Sequence, residues 1–286
     1  MGGTVTRISS KLLAILALVA WNPVTVKSQE NGWTWADAAE LSFVWTAGNA
    51  STNTLGLKNV LTGAAGKSKV SFEVGGIRTQ SSMKNRIANG TTANFTVTET
   101  SESELTAASY FAKSRYDLSI NGSAYWFAGS DWNRNTFSGI NNRLTFVSGL
   151  GNQFVDTDEF KFRTDLGATY TIQDNVAAGP TDRFGGVRFT YDLERAVTAN
   201  SKVTSKLVLD ENLANTDDLR GDWTNALTVA MNSRLALKTS AQLLFDNQPS
   251  FVDVPLLEGG VDLGNTVAAE LDKVDSVFTV ALVMNF

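Results

Sequence analysis

Residues 276–286 read SVFTVALVMNF. Taken alternately, Phe278, Val280, Leu282, Met284 and Phe286 fall on one side. Val277, Thr279, Ala281, Val283 and Asn285 fall on the other. A strict period of two marks a strand, because successive side chains point to opposite faces. Nothing polar follows Phe286. A strand closing a transmembrane barrel must pair with the first strand, since lipid cannot satisfy an open edge. The stretch is therefore read as the closing strand of a barrel, with Phe278, Val280, Leu282, Met284 and Phe286 on its lipid side.

Working back from this strand, eleven more segments of similar pattern appear. They are expected at about 36–47, 54–62, 69–78, 107–120, 124–134, 142–154, 160–172, 186–194, 201–210, 222–231 and 234–246. Phe43, Phe72, Leu118, Trp126, Leu150, Leu166, Phe189 and Leu237 mark the apolar faces. Segments of about ten residues suit tilted strands crossing a bilayer. Connections alternate in length: those after strands two, four and ten are tight, and those after three, seven, nine and eleven are longer. Short periplasmic turns and longer outer loops give this pattern when the strand count is even. Aromatics fall at segment ends. Trp35, Tyr116, Trp126, Phe160, Tyr191 and Phe286 lie at one rim, and Trp45, Trp132, Tyr170, Trp223 and Phe245 at the other, as expected of headgroup belts. The expected fold is all-β: a transmembrane antiparallel up-and-down barrel of about twelve strands over 36–286. Thr79–Glu104 is expected to be either a loop or strand ends rising beyond the membrane, and Asn247–Asp272 a long loop.

The opposite face is charged, and it is expected to line the lumen. Its bases are Lys58, Lys113, Arg115, Arg143, Lys161, Arg163, Arg188, Lys202, Lys206 and Lys238. Its acids are Glu40, Glu73, Asp117, Asp131, Asp165, Asp192, Glu194, Asp210 and Asp246. Both signs occur within single strands, as in Lys113-x-Arg115-x-Asp117 and Arg163-x-Asp165. Residues two apart share a face, so ion pairs along or between strands are expected, leaving a narrow, partly occluded lumen.

Residues 1–28 read as a secretory signal: Arg7 and Lys11, the apolar run Leu12–Trp21, and small residues Val26 and Ser28 before Gln29. Residues 29–35 form a short lead. Removing 1–28 takes away Arg7, Lys11 and Lys27 and no acid, so the net charge would go from −5 to −8. An acidic chain without a basic patch argues against nucleic acid as a partner.

The 286 residues contain no His and no Cys. This excludes Ser-His-Asp hydrolysis and zinc sites built on imidazole or thiolate. Two carboxylate groupings remain. Asp192 and Glu194 share a strand face, as a glycosidase pair or as lumenal ion pairs. Asp217 and Asp218 lie beside Asp222, as a calcium site or a solvated loop. Acidic loops are commonplace, which favours the plainer reading of each. No catalysis and no cofactor is expected.

Several stretches resemble the salt-induced outer-membrane protein family (YdiY-like), barrels of unknown function. They are the Gly48-Asn49 turn, Ser114-Arg115-Tyr116-Asp117-Leu118 followed by Tyr125-Trp126-Phe127-Ala128, and Val147-Ser148-Gly149-Leu150-Gly151. The ending on Phe286 also resembles the terminal strand of bacterial outer-membrane barrels, where it is part of an assembly signal. The resemblance implies a bacterial outer-membrane location. Expected partners are outer-membrane lipid and lipopolysaccharide, the barrel-assembly machinery and periplasmic chaperones. The functional expectation is a structural or narrow passive-pore barrel. The alternatives are a specific channel for small anionic solutes and an adhesin-like barrel using its outer loops.

Overall fold

The computed structural model describes residues 32–46, 50–91, 94–177, 179–258 and 261–286. Residues 1–28, read above as a signal, and the Gly48-Asn49 turn lie outside them. Among the described residues fourteen strands follow one another: β1 (Thr34–Thr46), β2 (Ala50–Ala65), β3 (Ser68–Thr91), β4 (Asn94–Ser119), β5 (Ala124–Asn135), β6 (Ile140–Asp156), β7 (Phe160–Asn175), β8 (Asp182–Thr198), β9 (Ser201–Asn212), β10 (Leu219–Ala230), β11 (Leu235–Asp246), β12 (Phe251–Glu258), β13 (Val261–Glu270) and β14 (Val274–Asn285). Twelve of them, all but β12 and β13, form one closed barrel in sequence order, each antiparallel to its neighbours. Among the described residues no helix is long and apolar enough to cross a membrane; a barrel crosses with strands.

The barrel is inverted relative to a water-soluble one. Phe43, Leu57, Phe72, Phe146, Leu150, Leu166, Phe189, Leu227, Leu237, Phe278 and Leu282 are all exposed on the outside, Leu150 and Leu166 by 60% and Phe278 by 73%. The charged residues in the middle of the strands, among them Glu73, Arg115, Asp165 and Arg188, point inward. Such a continuous apolar belt would be unstable in water and matches a hydrocarbon core. The few polar groups on this outer face find one another. Ser114 and Ser130 share a 2.8 Å hydrogen bond, Trp126 Nε1 donates to Ser148 Oγ at 3.1 Å, and Trp223 Nε1 donates to Ser205 Oγ at 3.2 Å. In lipid, where water cannot take up a lost hydrogen bond, such mutual satisfaction lowers the cost of each hydroxyl.

Closure comes from β1 and β14. Ala38–Leu41 pair with Asn285–Leu282, and Asp37 and Phe286 exchange two further backbone hydrogen bonds of 3.3 and 2.9 Å. A side-chain clasp reinforces this short seam. Lys238 of β11 donates to Glu40 of β1 at 2.7 Å, passing over β14 beside the buried Ala281 and Val283.

Two segments differ from the sequence expectation. β3 continues to Thr91 and β4 begins at Asn94, so the polar stretch is the second of the two alternatives: strand ends rising out of the barrel. β2 accompanies β3 only as far as Met83, and β5 meets β4 only from Ser109. Beyond these points the two strands pair with each other alone. Residues 247–272 are not a plain loop, because they contain the β12–β13 hairpin. That hairpin's base lies against the β5–β6 connection at one mouth of the barrel. Gly139, which ends a single 3-10 turn at Thr136–Ser138, sits with φ of 73° against Ser250 and Leu271. Ser138 Oγ donates to Asp275 Oδ2 at 2.5 Å.

Candidate functional site: the barrel lumen

The lumen is built around one aromatic ring. Phe127 on β5 points inward and is only 2% exposed. It fits because the facing wall has almost no side chains. Gly149 of β6 pairs with both Phe127 and Gly167 of β7, and a Cβ added to Gly167 would lie 3.0 Å from the Phe127 ring. Gly151 makes the same room for Tyr125, since a Cβ there would overlap the Tyr125 ring and Asp165 Oδ1. The glycines thus serve close approach inside the lumen rather than turn formation.

The space so made lets charges meet across strands. The Arg115 guanidinium on β4 stacks 4.2 Å from the Phe127 ring centroid. It donates from Nη1 to Asp165 Oδ2 at 2.7 Å, from Nη2 to Asp165 Oδ1 at 3.2 Å and from Nε to Asp117 Oδ1 at 2.6 Å. The Tyr125 hydroxyl donates to Asp165 Oδ1 at 2.6 Å. Asp165, on β7, lies three strands away from Arg115 and is 3% exposed. A bidentate guanidinium–carboxylate pair of this kind has both geometric fit and charge-assisted hydrogen bonds.

A second tier lies beyond Asp165 toward the end of the barrel that carries the β12–β13 hairpin. Arg188 on β8 donates to Asp210 Oδ1 and Oδ2 at 2.7 and 2.9 Å, and from Nη1 to Asp131 on β5. Further in the same direction, Arg143 donates to Gln173 at 2.5 Å and lies 3.8 Å from Asp246. On the other side of Asp165, toward the β6–β7 turn, Arg163 reaches Asp192 at 3.0 Å and Asp117 at 4.0 Å. Lys58 pairs with Glu73 at 2.8 Å, and Lys202 with Glu194 at 2.8 Å. Arg220 covers the Phe184 ring at 5.0 Å and lies 3.4 Å from Asp218.

The sequence-predicted lumen residues are therefore brought together in different ways. Arg115, Asp117, Arg163, Asp165, Arg188 and Asp192 form one cross-strand network. Lys238 joins the seam, and Arg143 lies toward the end of the barrel that carries the β12–β13 hairpin. Lys161 lies exposed beside the β6–β7 turn. Lys113 and Lys206 have no carboxylate within ion-pair distance among the described residues. Arg163 and Asp165 take the second of the two expected modes, each pairing with a residue of another strand. Asp192 and Glu194 bind separate bases. Asp222 accepts from Thr224 and Gln242, and no group of three acidic ligands occurs among the described residues. Sequence reading missed Phe127, Tyr125 and their glycine socket; the Gly149-x-Gly151 spacing on one face, opposite two inward aromatics, was the available signal.

Overpacking the socket gives a direct prediction. Gly151→Val should force Tyr125 off Asp165 and destabilise the folded barrel by about 1–3 kcal/mol. A lower urea midpoint for loss of the heat-modifiable folded band is the expected result, and an unchanged midpoint would argue against the socket.

An apolar outside, a charged inside and closure without free barrel edges define a transmembrane β-barrel with a filled lumen. The chain belongs to the family described as "Protein of unknown function, DUF481", whose model matches residues 39–254. Comparison with curated proteins gives no sequence match. Among solved structures, the chain is similar to the translocator domain of autotransporter NalP from Neisseria meningitidis, at 9% identity, 91% of this chain, 90% of that one and a TM-score of 0.42. It is also similar to the KdgM porin, at 8%, 88%, 99% and 0.38, and to an anion-selective porin from Comamonas acidovorans, at 12%, 89%, 99% and 0.38. The likeness is one of general architecture.

Proposed function

We propose that this protein is a barrel of the bacterial outer membrane, acting as a structural element or narrow passive pore and not as an enzyme. The lumenal network carries this reading: Arg115–Asp165 and Arg188–Asp131 span the interior, with Phe127 packed between strands. The lumen then passes water and small ions slowly and excludes larger solutes. The absence of His and Cys from the chain, and the pairing of Asp192 and Glu194 with bases, support a non-catalytic role. Lipid and lipopolysaccharide surround the belt, and barrel-assembly machinery and periplasmic chaperones deliver it, with the face of Phe278 to Phe286 as the assembly signal. Membership of the salt-induced (YdiY-like) group rests on the motifs at 114–118, 125–128 and 147–151, which coincide with the lumenal network. A rise of the protein in the envelope on adding sodium chloride would support that grouping, and a constant level would count against it.

Liposome swelling tests the pore reading. Vesicles carrying the folded barrel should swell slowly in monosaccharide and not measurably in disaccharide. Rapid swelling in both would exclude a narrow lumen. The protruding β3–β4 ribbon favours a second reading, a surface-interaction role, which predicts binding of whole cells to a partner and its loss when residues 84–101 are deleted.

Orientation follows from the turns. Asn89→Cys and Leu257→Cys should react with a membrane-impermeant maleimide on whole cells. Ser68→Cys, Gly122→Cys and Ser233→Cys should not. The absence of native Cys leaves no background. Labelling at Ser68→Cys with Asn89→Cys protected would invert the topology.

A further inference from the structure

Lys113 and Lys206 stand apart from the other bases in the middle of the barrel. Lys113 on β4 is flanked in the sheet by Glu73 on β3 and Asp131 on β5. Glu73 binds Lys58 instead, and Asp131 binds Arg188. Lys206 on β9 lies opposite Asp192 on β8, which binds Arg163. Each neighbouring carboxylate is thus held by a different base. Two ammonium groups are left without a carboxylate within ion-pair distance among the described residues, although Lys113 lies 5.3 Å from the Phe111 ring. The other two unpaired lysines on the inward face, Lys69 and Lys161, sit at the periplasmic rim, where water solvates them.

Both central lysines line one cavity of about 100 Å³. Arg115, Arg188, Ser71 and Thr190 also line it, and so do the two carboxylates already engaged, Glu73 and Asp131. The lining side chains carry four positive and two negative charges. The volume holds a few waters or one small oxyanion, and is well below the roughly 300 Å³ at which sites for larger organic ligands begin. Lys206 is exposed to the lumen and Lys113 is half-buried, so a small anion in the cavity can reach both ammonium groups. Two ammonium groups facing one small space, with hydroxyl donors from Ser71 and Thr190 on its wall, are the donor set for a phosphate or carboxylate group.

We propose that this cavity is a binding site for a single small oxyanion, held chiefly by Lys113 and Lys206. The proposal rests on the reading of the lumen as reached by water. The site would sit in the constriction, so a bound anion would also be the one that permeates.

Isothermal titration calorimetry of the folded barrel in zwitterionic detergent at low ionic strength tests this, with inorganic phosphate and acetate as separate probes. The wild type should bind one phosphate or one acetate per barrel. Phosphate binding alone would assign the site to phosphate groups, and acetate binding alone to carboxylates. Lys113→Gln with Lys206→Gln should weaken binding at least tenfold, while Lys69→Gln should leave it unchanged. Heat-modifiable migration shows whether each variant is folded, and should the double variant not fold, Lys206→Gln alone should give a severalfold loss. Absence of binding to the wild type by either probe would overturn the proposal, as would equal binding by the wild type and the folded lysine variants. Calorimetry needs no transmembrane flux, so failure of the pore reading and failure of this site are seen separately.

Discussion

Leu282→Arg is expected to abolish accumulation of the folded barrel, whereas Thr279→Arg should leave most of it intact. Leu282 pairs with Leu41 on β1 and Leu237 on β11, so it sits in the short seam that closes the barrel and faces outward. An arginine facing hydrocarbon near the midplane costs about 2–4 kcal/mol. That is a large share of a typical folding free energy of about 5–15 kcal/mol. At the seam the cost falls on few backbone hydrogen bonds, so the defect should appear as failed closure. Thr279 pairs with Ser240 and faces the lumen, where an arginine can keep its charge in water. The folded, heat-modifiable band on a gel reads both outcomes. Equal loss of the band in the two variants would refute the assignment of faces.

The second large effect is expected from Arg188→Ala. Its guanidinium holds Asp131 and Asp210 together, and its side chain is 12% exposed. Removing it leaves two carboxylates facing each other with no base between them. Breaking a buried charge network in this way costs about 3–5 kcal/mol, with the lower end expected where lumenal water reaches the acids. The lost side chain also opens the middle of the lumen. A fall in the urea midpoint together with a severalfold rise in ion conductance is the expected pair of results. Arg188→Lys should rescue only part of both, because an ammonium cannot bind Asp210 through two parallel hydrogen bonds. Unchanged conductance in a stably folded Arg188→Ala barrel would mean that this tier does not restrict the lumen.

The lipid face was readable in the sequence because a period of two and large apolar residues coincide on it. Leu150, Leu166 and Phe278 needed no partner to be placed. The length of β3 and β4 was not readable in the same way. Between Thr79 and Glu104 both alternate sets of residues are mostly polar, and no contrast remains to mark a strand. The β12–β13 hairpin was hidden because its sequence has no sustained alternation of apolar and polar residues. Charges on the inward face were legible as a set but not as pairs. Arg115 and Asp165 are fifty positions apart, and they meet because Gly149, Gly151 and Gly167 leave the intervening wall bare. Pairing along or between strands was open from the spacing, and both occur: Arg115 binds Asp117 on its own strand, while Arg163 and Asp165 each bind a residue of another strand.

Single-channel recording in a planar bilayer is the most direct test of a lumen spanned by its own side chains. The purified wild-type barrel should show a small conductance with weak preference for anions, rising severalfold in Arg188→Ala. A large, steadily open conductance in the wild type, equal to that of Arg188→Ala, would contradict an occluded lumen.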